Sequence, residues 1–137
     1  MTNRFATTFT ALPEHIDENG HVNNTVWVGW MEELSVAHWN AQALPEHRDR
    51  YAWVVTRHEI DYRGNVTEGA KVRGETIIKD GPRGARFDRH YEFYDAEGKA
   101  LVRAKSTWAM VDKATGRLMR VPAEVAGPFL PSESEET

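Results

Sequence analysis

Asp17, Asn19, His21, Asn23 and Asn24 fall together in the run Asp17-Glu18-Asn19-Gly20-His21-Val22-Asn23-Asn24, directly ahead of an apolar segment with helical spacing. A carboxylate at Asp17 can draw a proton from water or attack a carbonyl carbon directly. The unpaired backbone N–H groups at a helix start, here Asn23 to Val26, carry partial positive charge and can receive an oxyanion. Equipment this small suits an acyl group on a good leaving atom. A thiol of pKa about 8.5 departs as thiolate with no strong general acid beside it.

Plainer roles are open to each of these residues. Asp ahead of Gly commonly accepts a bond from its own downstream backbone in a turn. His21 can orient a carbonyl, accept a proton, or only pack the turn. Asn19, Asn23 and Asn24 are equally turn and cap residues. Glu32 and Glu33, on a helix apolar over most of its surface, are paired, exposed through a gap, or functional. His58 reads as a satisfied core histidine on the inward face of a strand. Gly81-Pro82-Arg83-Gly84 superficially matches a nucleic-acid GxxG loop, but it lies between strands. Arg83, Arg86 and Arg89 beside it can bind a phosphate or form a solvated basic edge. The six histidines show no metal-ligand spacing, so no metal is assigned.

The elements that must position these groups follow from periodicity. Arg4 to Leu12 alternates as a strand and is ended by Pro13. Pro13 to Asn24 holds too many turn residues for a helix. From Thr25 to about Ala43, Val26, Trp30, Leu34, Ala37 and Ala41 form one helical stripe, widened by Trp27 and Met31. Val28, Val36 and Trp39 occupy the other side, so this helix should be covered on most sides, and Pro45 stops it. Ala52–Arg63, Ala70–Lys79, Arg86–Tyr94 and Ala100–Asp112 alternate as strands, separated by glycine-rich turns. In the first of these, Val54, Thr56, His58, Ile60 and Tyr62 should share one face. Val121 to Gly127 can add a helical turn. One strand, one long helix and four strands make an α+β class.

At 137 residues the chain has room for one modest core, placed at 1–130. The net charge of −4 lies mostly in the tail, where Glu133, Glu135 and Glu136 leave about −1 for the rest; residues 131–137 read as a disordered acidic tail. That balance argues against a nucleic-acid surface. No run approaches the roughly 20 apolar residues of a membrane span, and the N-terminus lacks a signal-peptide core, so a cytoplasmic, membrane-free protein is expected. With no cysteine there is no disulfide, thiolate metal site or cysteine nucleophile.

Asp17-x-x-Gly20-His21-Val22-Asn23-Asn24-x-x-Trp27 resembles the signature of hotdog-fold acyl-CoA thioesterases of the 4-hydroxybenzoyl-CoA thioesterase-like group. Asp17-x-Asn19-x-His21-Val22-Asn23-Asn24 followed by Gly29-Trp30 also resembles acyl-ACP thioesterases. The likeness runs on through His58-Glu59-Ile60-Asp61-Tyr62-Arg63, Gly69, and Lys99 to Pro122. It implies a hotdog fold, a five-stranded antiparallel sheet wrapped around a central helix, assembled as a homodimer or homotetramer. It also implies an acyl-CoA or acyl-ACP substrate and no cofactor. By this likeness Asp17 is the catalytic carboxylate, the Asn24 backbone amide polarises the thioester carbonyl, and His21 and Asn19 are polar site positions. Asn23, Trp27, Arg83 and Arg86 are expected on the substrate side. Trp27 stands where tyrosine is usual; Glu32 keeps a common glutamate, and Glu33 replaces a frequent basic residue.

Two other readings compete. One is a hotdog hydratase or dehydratase pairing His21 with Glu32 or Glu33 across a dimer, although the proline- and glycine-rich loop of such enzymes is missing. The other is a non-catalytic acyl-thioester binding module.

Overall fold

The long helix α1 (Asn24–Gln42) starts where the polar run ends. Asn23 is its N-cap, with Oδ1 accepting from the Thr25 N–H at 3.0 Å. The computed structural model that shows this describes residues 3–131; the acidic stretch 132–137 lies outside them. Trp27, Trp30, Met31, Leu34, Ser35 and His38 form the buried side of α1. Coverage is less complete than the apolar sequence suggests: Thr25, Gly29, Glu32, Glu33, Val36 and Asn40 form an exposed stripe, with Val36 at 53%.

Pro45 does more than end this helix. It occupies the first turn of a second one, α2 (Pro45–Arg50), where a missing N–H leaves no bond unmade. Pro13–His15 likewise forms a single 3-10 turn in a stretch expected to hold no helix, with His15 Nδ1 accepting from the Leu12 N–H. A short α3 (Ala123–Ala126) falls within the expected 121–127 segment. No helix among the described residues is long and apolar enough to cross a membrane.

The strands β1 (Arg4–Thr10), β2 (Tyr51–Tyr62), β3 (Lys71–Ile77), β4 (Arg86–Tyr94) and β5 (Ala100–Asp112) form one antiparallel sheet in the order β1-β3-β4-β5-β2. This is the α+β arrangement of five strands and one long helix that the sequence implied. β1 and β2 are its edges.

Simple alternation fails in β2. Val55 pairs with Trp108 and Arg57 with Thr107, so Thr56 is an extra, bulged residue. The bulge moves Trp53 and Val55 to the same face as His58 and Ile60, opposite Met110, Trp108, Ser106 and Ala104. Val54 and Thr56, expected on the His58 face, point outward and are exposed.

Two apolar clusters lie under α1. Trp27, Trp30, Leu34, Val72, Phe93 and Val102 fill one end; Tyr51, Ile78, Phe87, Met110, Val125 and Phe129 fill the other. In the first, a Cβ on Gly74 would stand 2.8 Å from Phe9, 2.9 Å from Phe93 and 3.1 Å from Leu34. The missing side chain is what lets α1 and the aromatic rings close on β3.

Candidate active site

Asp17 sits at the base of a tight hairpin. Ile16 bridges to Val22, the Asp17 N–H donates to the His21 carbonyl at 3.0 Å, and the Gly20 N–H donates to the Asp17 carbonyl at 3.0 Å. Gly20 adopts φ 79°, a conformation that L side chains rarely take. Asp17 Oδ1 accepts from the Asn19 N–H at 2.9 Å. The turn bond anticipated from sequence is therefore made, and it uses one carboxylate oxygen as an acceptor. Oδ2 has no partner among the described residues. Turn and reagent are compatible roles here: the Asx bond fixes where the free oxygen points.

The hairpin is also fastened to the start of α1. The Asn23 N–H donates to the His15 carbonyl at 2.9 Å and the Val22 N–H to the Val66 carbonyl at 3.2 Å. Asn65 Nδ2 donates to the Val22 carbonyl at 3.0 Å, and Val22 is buried. Between Asn23 Oδ1 and the Asn23 carbonyl, the cap takes the N–H groups of Thr25 and Val26. The Asn24 N–H, first in the helix, is left without an acceptor among the described residues. One free carboxylate oxygen and one free helix-start N–H are thus held on a short, doubly anchored segment. Asn19, His21 and Asn24 are exposed, and Asn23 is half-buried because its side chain is spent on the cap. Replacing Asn23 by Ala should lower stability by about 1 kcal/mol, read in a denaturant melt. An unchanged melt would show that the cap contributes nothing to stability.

Trp27 is placed differently from expectation. Its side chain has no exposed surface and packs edge-to-face against Trp30 and Phe93, with ring centroids at 5.1 and 5.4 Å. It belongs to the core beneath the site. Glu32 and Glu33 are on the exposed stripe, the "gap" alternative.

The three arginines near Gly84 separate. Arg83 pairs with both oxygens of Asp88, at 2.8 and 3.2 Å, and holds that carboxyl below its ordinary pKa. Arg86 is exposed. Arg89 does not belong to a basic edge at all: it points inward from β4 and is 8% exposed. Its Nη1 donates to His38 Nδ1 at 2.8 Å and to Thr76 Oγ1 at 3.0 Å. Burial pulls its pKa down to about 10, so the guanidinium still carries its charge at neutral pH.

Arg89 is part of a polar row between the two apolar clusters. By register, Arg89 faces Ser106 and Ser106 faces His58, and His58 Nδ1 lies 2.5 Å from Ser106 Oγ. Next to this row Trp108 Nε1 donates to Tyr91 Oη at 3.0 Å. Because the Ser35 hydroxyl donates to the Met31 carbonyl, the 2.6 Å contact with Tyr91 must have Tyr91 donating to Ser35. His58 is thus satisfied, as expected, but by a row that single-strand patterns did not reveal. The signal was present as one polar residue at an inward position of each of β2, β3, β4 and β5, namely His58, Thr76, Arg89 and Ser106.

A cavity of about 300 Å³ opens beside Arg89, under the C-terminal half of α1. Trp39, Trp53, Phe87, Trp108 and Phe129 supply its aromatic walls. Neither Asp17 nor Asn24 lines it.

A model of the thioesterase-like superfamily matches residues 11–129. The chain is 37% identical over 80 residues to a chloroplastic palmitoyl-acyl carrier protein thioesterase of Arabidopsis thaliana, covering 58% of this chain and 19% of that protein. It is 37% identical over 91 residues to the protein of the same description from Gossypium hirsutum, covering 65% and 22%. The chain therefore spans about a fifth of the length of the curated relatives it matches. Among solved structures, a 1,4-dihydroxy-2-naphthoyl-CoA thioesterase from Synechocystis superposes with a TM-score of 0.78 at 16% identity, covering 92% of this chain and 95% of that one. An acyl-ACP thioesterase from Bacteroides thetaiotaomicron superposes with a TM-score of 0.81 at 21% identity, covering 95% and 54%. At these identities the structural likeness establishes the fold.

Proposed function

We propose, from the premise that this chain belongs to the thioesterase-like superfamily, that it hydrolyses an acyl-CoA or acyl-ACP thioester at the Asp17 hairpin. The observation that carries the reading is that one anchored segment holds both a free Asp17 oxygen and an unclaimed Asn24 N–H. In the base form of the reaction, Asp17 takes a proton from water as the water oxygen bonds to the carbonyl carbon. Negative charge then builds on the carbonyl oxygen, and the Asn24 N–H at the helix start donates a hydrogen bond to it. The C–S bond breaks, the thiolate leaves and is protonated, and the free acid remains. In the nucleophile form, Asp17 attacks the carbonyl carbon itself, the C–S bond breaks and the thiolate leaves, and water cleaves the resulting anhydride to the free acid and the Asp17 carboxylate. Either route asks for no metal or organic cofactor.

His21 and Asn19, exposed on the same hairpin, are assigned to orienting the substrate, and Arg86 to the phosphate of the carrier. Arg83 is engaged by Asp88 and contributes less. The long unpaired edge of β2 and the exposed Val36 stripe support assembly with a second copy. Cytoplasmic placement is part of this proposal.

A thiol-release assay over aryl-, short-, branched- and long-chain acyl-CoA substrates and acyl-ACP is the direct test. Release well above the uncatalysed rate for at least one of them is expected. Stable binding without release would leave a binding module, and hydration of an enoyl thioester would leave a hydratase.

A further inference from the structure

The cavity beside Arg89 combines an apolar wall with a charge that no carboxylate among the described residues balances. Arg48, Arg89 and Lys113 line it, and among the described residues no Asp or Glu does. No described carboxylate lies within ion-pair distance of Arg89. Both of its bonds run from Nη1, to His38 and Thr76. Nε and Nη2, the edge of the guanidinium that matches a carboxylate in bidentate geometry, have no acceptor among the described residues. Neither is among the fully buried unpaired atoms, so both reach accessible space, while Arg48 Nε is fully buried and unpaired.

A buried charge without a counter-ion is unfavourable, and arginine does not escape that cost by deprotonation near neutral pH. His38 does not supply the missing anion: its Nδ1 accepts from Arg89, and an imidazole carries no negative charge. Thr76 carries none either. The remaining partner must come from outside the described fold.

We infer that this cavity is a binding site for an apolar monocarboxylate, its aliphatic or aromatic body against Trp39, Trp53, Trp108 and Phe129 and its carboxylate on Nε and Nη2 of Arg89. The drop in the Arg89 pKa with burial agrees with a charge that gains by acquiring a counter-ion. The carboxylate has two sources: a free acid, or the distal end of an acyl group whose thioester lies at Asn24. Ser35 at the cavity is eleven residues along α1 from Asn24, about 16 Å. Only the second source rests on the hydrolysis proposed above.

Calorimetric titration of the full chain with decanoate and 4-phenylbutyrate, each against its neutral amide, tests the site without requiring turnover. Each acid should bind at least about 10-fold more tightly than its amide, with quenching of tryptophan fluorescence. Arg89→Met should remove the preference, and Arg89→Lys, which keeps the charge without the fork, should retain only part of it. If Arg89→Met fails to fold, the native acid-to-amide ratio and Arg89→Lys decide the matter. Equal binding of acid and amide, or a preference unchanged by Arg89→Lys, overturns the inference. The triple replacement Glu133→Gln, Glu135→Gln, Glu136→Gln should leave acid affinity within about two-fold. A gain of 10-fold or more would make the chain's own acidic segment the occupant and also overturn it. The source follows from comparing hexadecanedioyl-CoA with hexadecanoyl-CoA. A lower KM for the diacid, lost in Arg89→Lys, identifies the acyl end; equal KM values with competition by decanoate only in the binding assay identify the free acid.

Discussion

Asp17→Asn is expected to lower thioester turnover by at least about 10²-fold and to leave the fold intact. The two halves of that expectation have separate origins. Asn keeps a carbonyl oxygen at the Oδ1 position, so the bond from the Asn19 N–H and the hairpin survive. Gly20 and the two backbone bonds of the turn do not involve the side chain at all. The position is only half-buried, and a change there should stay within about 0.5 kcal/mol of native stability. What Asn lacks is negative charge, and with it both basicity and nucleophilicity. Turnover measured by thiol release, alongside a thermal melt and a decanoate titration, separates these effects. Lost turnover with unchanged melting and unchanged acid binding would tie the loss to the reacting end of the molecule. Near-native turnover would remove Asp17 from the reaction, whatever became of the cavity.

How much of this was legible before the fold was known depended on the range of the interactions involved. The α1 stripe, the cap and the hairpin are local: Trp30 and Leu34 sit four residues apart, and Asp17, Asn19 and Gly20 form a turn among themselves. Strand existence was equally local, and β4 and β5 begin and end at the residues that alternation marks. The face of a strand was not local where one extra residue intervened. Thr56 bulges because of its pairing with β5, and no pattern within β2 announces the shift. Arg89 departs from the basic-edge alternative for a related reason. Its neighbours Arg83 and Arg86 invite a reading as one basic edge, whereas alternation about the buried Phe87 and Tyr91 sends Arg89 inward alone. That inward position becomes reasonable only once Thr76, from β3, and His38, from α1, are brought to it. The motif therefore located one end of α1, and the topology located the other.

Trp27 is where motif and packing disagree, and its replacement carries the largest expected effect on stability. Trp27→Ala removes a side chain with no exposed surface from between Trp30 and Phe93, which should cost about 3–5 kcal/mol. One term acts the other way. Trp27 Nε1 is buried without an acceptor, and removing it relieves about 1–3 kcal/mol of desolvation. The cavity term is larger because neighbouring rings cannot collapse into the space, so a net loss of about 2 kcal/mol is expected, lowering Tm by roughly 8 °C. Trp27→Phe divides the terms differently. It keeps an aromatic ring at the edge-to-face contacts while deleting the orphan N–H, and should stay within about 1 kcal/mol of native. If Trp27 is core alone, Trp27→Phe also leaves KM for the best thioester within about three-fold. A folded Trp27→Phe protein with KM raised 10-fold or more would show that substrate does reach this ring, and the expectation drawn from the motif would then replace the one drawn from burial.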